Sequence, residues 1–100
     1  MVKVAAFSVA GLTLSFRSRD HPPPHFHVHK LGWWEIRVFI DATVAENKLS
    51  YAYKFPKSLP RNFRGLTSDE ERLLLIRVLE YREILLAEWM QKVCPSEDVQ

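Results

Sequence analysis

One hundred residues, 47% hydrophobic and 26% charged with a formal charge of +2, describe an ordinary soluble globular chain, long enough for one core and too short for two. No apolar run approaches the ~20 residues that span a bilayer, and Met1 to Phe7 lacks the basic and long apolar regions of a secretory signal. Cys94 is the single cysteine, which excludes an internal disulfide and a Cys-based zinc site and makes a reducing cytoplasm the expected setting.

Val2 to Phe7 is a short apolar run suited to a first strand, closed off by Gly11. Leu12-Thr13-Leu14-Ser15-Phe16-Arg17 alternates apolar and polar residues, the pattern of a half-buried strand with Leu12, Leu14 and Phe16 inward. Ser18 to Pro24 is a loop ending in three successive prolines, which fix φ and favour extended backbone. The next stretch, His25-Phe26-His27-Val28-His29, sets Phe26 and Val28 on one face and three imidazoles on the other. Lys30-Leu31-Gly32 suits a three-residue hairpin loop, and Trp33 to Ile40 a return strand with Trp34, Ile36, Val38 and Ile40 facing the core. That loop places His29 opposite Trp33, His27 opposite Glu35 and His25 opposite Arg37, with the parity of both strands preserved.

Asp41 ends the return strand, Ala42 to Asn47 fits no single element, and Lys48 to Phe55 alternates again through Leu49, Tyr51, Tyr53 and Phe55. Pro56 to Gly65 reads as a basic loop. A helix is predicted from Thr67 to about Val93: Thr67 with Glu70, or Ser68 with Glu71, offers a capping box, and Pro95 stops it. At ~100° per residue, Leu75, Val78, Leu79, Leu86, Trp89, Met90 and Val93 share one stripe, with Trp89 as core anchor and Arg82 near the centre. A charge there needs a partner, an ion pair or a capped carbonyl at the sheet edge, the alternative being phosphate or carboxylate recognition near the His face. The expected architecture is α+β: one domain over residues 1–100, with strands and loops to residue 66, a helix over 67–94 and a tail over 95–100. A small antiparallel sheet of three to five strands is packed on one face by the long C-terminal helix.

All four histidines lie within residues 21–29, and four readings of that density are open. Imidazoles at alternate strand positions suit a divalent transition metal, with His25, His27 and His29 as ligands and Glu35 as a ligand or outer acceptor. Three such residues span roughly 13 Å, which favours an adjacent pair. The spacing His-Phe-His-Val-His is also similar to the signature of the histidine-triad nucleotide hydrolases, although Lys30 departs from it and only 24 residues precede His25. An RNA-binding or RNA-cleaving face would use the imidazoles as proton carriers, Arg17, Arg37, Lys54, Lys57, Arg61 and Arg64 for phosphate, and Tyr51, Tyr53 and Phe63 for stacking. Residues 1–66 carry +6 and residues 67–100 carry −4, a split compatible with RNA and equally with a basic sheet on an acidic helix. The fourth reading is a non-catalytic module docking a partner protein through the polar sheet face.

The chain also resembles the prokaryotic family catalogued as domain of unknown function forty-one sixty. The resemblance rests on Pro23, Pro24, His25, His27 and Val28, followed by Arg82, Glu83, Leu85, Leu86 and Trp89. It implies a small sheet with one helix, and genes that often lie beside a small partner in toxin-antitoxin-like pairs; it supplies no activity. The leading expectation is therefore a cytoplasmic partner-binding component of such a module, with no membrane association. Its expected working surface is His25, His27, His29, Glu35 and Arg37 on the solvent side of the sheet.

Overall fold

The computed structural model describes residues 2–30, 34–54 and 65–93. Five strands, β1 (Val2–Lys3), β2 (Thr13–Phe16), β3 (His25–Lys30), β4 (Trp34–Phe39) and β5 (Tyr51–Tyr53), form one antiparallel sheet in sequence order. A short helix, α1 (Ile40–Glu46), joins β4 to β5; α2 (Ser68–Glu80) and α3 (Arg82–Lys92) follow. The fold is α+β, with helices packed against the sheet, and no helix among the described residues is long and apolar enough to cross a membrane.

Alternation builds the core. Leu14 and Phe16 from β2, Phe26 and Val28 from β3, and Trp34, Ile36 and Val38 from β4 are all buried, each large apolar side chain contributing roughly 1.5–3 kcal/mol. Leu74, Val78, Leu85 and Trp89 join them from α2 and α3. β1 is shorter than the run Val2 to Phe7 suggested, yet Val4 and Phe7 are still buried. The Phe7 ring packs edge-on against Phe26 and stacks on Tyr81, tying the N-terminal segment to both sheet and helices.

The β3–β4 register differs by two residues from the expected one. His25 lies opposite Phe39, His27 opposite Arg37 and His29 opposite Glu35, because pairing continues to Lys30 with Trp34. Lys30 is thus a strand residue rather than part of the turn; Leu31 and Gly32 lie outside the described residues. A shift of two keeps every side chain on its expected face, so the core set survives while the cross-strand pairs on the polar face change.

Ile40 is fully buried as expected, but it opens α1 instead of extending β4. Asn47 ends α1 in the left-handed conformation at φ 53°, where its N–H donates to the carbonyls of Thr43 and Val44. The buried Thr43 hydroxyl accepts the Ser50 N–H at 2.9 Å and so aims the chain into β5. β5 covers only Tyr51–Tyr53 of the longer expected strand; Phe55 and most of the basic loop lie outside the described residues.

The expected single C-terminal helix is two. Tyr81 leaves helical geometry at φ −109°, ψ 21°, where its ring stacks on Phe7. Thr67 caps α2 with a complete capping box: Glu70 N–H donates to Thr67 Oγ1 and Thr67 N–H donates to Glu70 Oε1. The buried set is Leu74, Val78, Leu85, Trp89 and Val93, which shares only Val78, Trp89 and Val93 with the expected stripe. Leu79 and Met90 are exposed, at 38% and 78%. The apolar runs Leu73 to Ile76 and Ile84 to Leu86 cover more than one face, so periodicity alone leaves the phase open. Arg82 accordingly sits at the flank, 3.6 Å from Asp41, with both side chains about half exposed.

Candidate metal centre

The chain after β2 turns back across the polar face of the sheet, and this buries what the alternation had left outward. His25 and His27 are only 6% and 3% exposed, so they form no open solvent-side surface. The descending segment delivers Asp20, whose Oδ2 lies 2.7 Å from His27 Nε2 and 3.4 Å from His25 Nε2. Arg17, Asp20, His21, His25, His27 and Arg37 border the resulting cleft of about 370 Å³.

Each imidazole is held by its surroundings. His25 Nδ1 lies 2.8 Å from the Pro23 carbonyl; a carbonyl only accepts, so Nδ1 carries a proton, and in the neutral ring Nε2 then presents its lone pair. The ring is wedged between Trp89 and Phe39, with centroids 5.4 Å and 5.6 Å away. His27 is flanked by two carboxylates: Nε2 faces Asp20, and Nδ1 is 3.3 Å from Glu35 Oε2 without making a hydrogen bond. Glu35 reaches His27 diagonally, because its direct cross-strand neighbour is His29. Burial pushes the His27 pKa below its usual value, against the hydrogen bond and charge of Asp20; Arg17 and His25 add to the downward push. Glu35 is itself held by Arg17 at 2.6 Å and Lys54 at 3.6 Å.

The donor atoms of Asp20, His25 and His27 all lie within 4.8 Å of one another. For bonds of 2.0–2.1 Å, ligand atoms around a tetrahedral ion stand roughly 3.3 Å apart. The Asp20–His25 separation of 3.4 Å already fits, and the widest pair needs to close by roughly 1.5 Å on the same spacing.

Of the residues expected from the sequence, His25, His27 and Glu35 are brought together and Arg37 stands exposed beside them. His29 is not in the ligand set: two strand positions beyond His27, it is half-buried and its place is taken by Asp20. Sequence reasoning missed Asp20, and the one available signal was an acidic residue in the loop feeding the His strand. Ser15 lies on the imidazole face as its alternation implies, but it is buried directly across from His27, with its hydroxyl unpaired among the described residues. Tyr51 and Tyr53, candidates for base stacking, pack against each other and partly against the core, and the Tyr53 hydroxyl accepts the Leu66 N–H. Lys57, Arg61, Phe63 and Arg64 lie outside the described residues.

No curated protein and no solved structure matches this chain. The family model described as Domain of unknown function (DUF4160) matches residues 11–90, which takes in every residue of the cleft, and the chain belongs to that family.

Proposed function

We propose that the protein binds one divalent first-row transition metal ion through Asp20, His25 and His27. The observation that carries this is a convergence of acceptors. With the proton of a neutral His25 committed to Pro23, the His25 Nε2 lone pair faces the Asp20 carboxylate at 3.4 Å. His27 repeats the problem, since a neutral imidazole has one N–H and two carboxylates to serve. A cation bound at both Nε2 atoms and Asp20 removes both conflicts. His27 Nδ1–H is then free to face Glu35, the outer carboxylate that ligating histidines commonly use. Two imidazoles and one carboxylate suit Zn, Fe, Co or Mn, and three protein ligands leave at least one position open, as in reactive rather than purely structural sites.

Equilibrium dialysis of tag-free protein against Zn²⁺ and Co²⁺, with metal analysis of the retained fraction, tests this. One equivalent is expected for the wild type and none for His27→Ala under the same supply; a wild type that retains no stoichiometric metal refutes it.

A second reading is that the chain is the partner-binding member of a two-gene, toxin-antitoxin-like module. Its support lies on another surface, where Ile76, Leu79, Ile84 and Met90 leave large apolar side chains exposed on α2 and α3. Pull-down of the product of the adjacent gene, weakened by Ile84→Lys, is the expected result; capture that is undiminished in this variant removes the helix surface from the reading.

A further inference from the structure

We infer that the cleft takes a small oxyanion, a phosphate monoester or a carboxylate, held between the metal's open position and the Arg37 guanidinium; this rests on the metal reading above. Arg37 is the direct cross-strand neighbour of His27 and borders the same cleft. Its side chain is exposed and makes no ion pair or hydrogen bond among the described residues. Arg17 and Lys54 differ from it, because both stand against Glu35.

The charges decide the sign of the ligand. Glu35 is countered by Arg17 and Lys54, and Asp20 by the ion it would ligate. What remains at the open side is the surplus charge of a divalent metal together with Arg37. Two positive centres across a cleft, one of them a planar fork of N–H donors, match an anion with two or more oxygens. A neutral or cationic ligand would leave both uncompensated. His21, on the bordering loop, adds a further donor at the rim.

The test uses the visible absorption of Co²⁺-loaded full-length protein, wild type and Arg37→Gln, titrated with inorganic phosphate and separately with acetate at constant ionic strength. A Co²⁺ band in both proteins reports the metal site itself. The expected result is a change of that band in the wild type at millimolar anion or below, needing at least tenfold more anion in Arg37→Gln. A response to phosphate alone assigns the tetrahedral oxyanion, and a response to acetate alone the carboxylate. A wild-type band that neither anion alters, or an Arg37→Gln response at the same concentration, overturns the oxyanion site and leaves the metal site standing. Absence of any Co²⁺ band overturns both.

Discussion

Replacing Asp20 by alanine separates the two roles that its carboxylate would play. In the metal-free chain Asp20 Oδ2 accepts from a His27 ring that is 3% exposed, and a hydrogen bond to a charged group contributes about 1.5–3 kcal/mol. Its removal leaves a buried imidazole facing a void, so a loss near 2 kcal/mol is expected, or roughly 8–16 °C in Tm for a domain of this size. With metal, the wild type gains stability by mass action, about 2.7 kcal/mol at a hundred times Kd, which corresponds to roughly 11–22 °C. Thermal unfolding followed by circular dichroism, with chelator and then with Zn²⁺, reads both numbers from the same samples. Asp20→Ala should melt lower with chelator and gain almost nothing from Zn²⁺. A variant that melts with the wild type in chelator refutes the structural role. One that gains as much from Zn²⁺ as the wild type refutes Asp20 as a ligand.

Three further outcomes are expected. Burial raises the pKa of Glu70, but the Thr67 N–H, the Lys30 ammonium and the Thr67 hydroxyl outweigh it and hold the carboxyl below its ordinary range. Its contribution to stability is therefore present above the unfolded pKa of about 4.3 and lost as pH falls through the lower folded value. Glu70→Gln should lower stability at pH 7 and merge with the wild type in strong acid, as urea unfolding across pH will show. Arg82→Ala should cost less than about 1 kcal/mol, because the pair with Asp41 is long and solvated; a larger loss would return Arg82 to the buried stripe. Phe26→Ala, at a fully buried position in contact with Phe7 and Phe16, should cost about 3–5 kcal/mol in the same assay.

What could be read from the sequence was whatever depends on local period. The alternation of His25 to His29 against Trp34 to Phe39 assigned each side chain to its face, and a register shift of two could not disturb that assignment. The capping box at Thr67 was legible because both its members lie within one turn. The phase of α2 and α3 was not, since consecutive leucines offer the sheet several equivalent stripes and tertiary packing makes the choice. Nor was Asp20. Nothing in Arg19-Asp20-His21 says that the chain folds back over the sheet instead of running into solvent. That return buries His25 and His27 and turns an amphipathic strand into a cleft. Glu35 was placed beside His27 correctly, but by a diagonal reach instead of the direct pairing expected.

The candidate ligands Asp20, His25 and His27 occupy one short span of chain, and Arg17, Glu35 and Arg37 extend it only to the following strand. The candidate site is thus built from a single hairpin and the loop that feeds it. Side chains from the C-terminal half stand against this hairpin's polar side, Trp89 against the His25 ring and Lys54 against Glu35. A rearrangement of α3 or of the end of β5, whether by mutation or by docking on the exposed helix face, would therefore be felt at the site through those two side chains. Trp89 would alter the tilt of one candidate ligand and Lys54 the charge behind the other, so a change on the helices can reach the cleft without touching it.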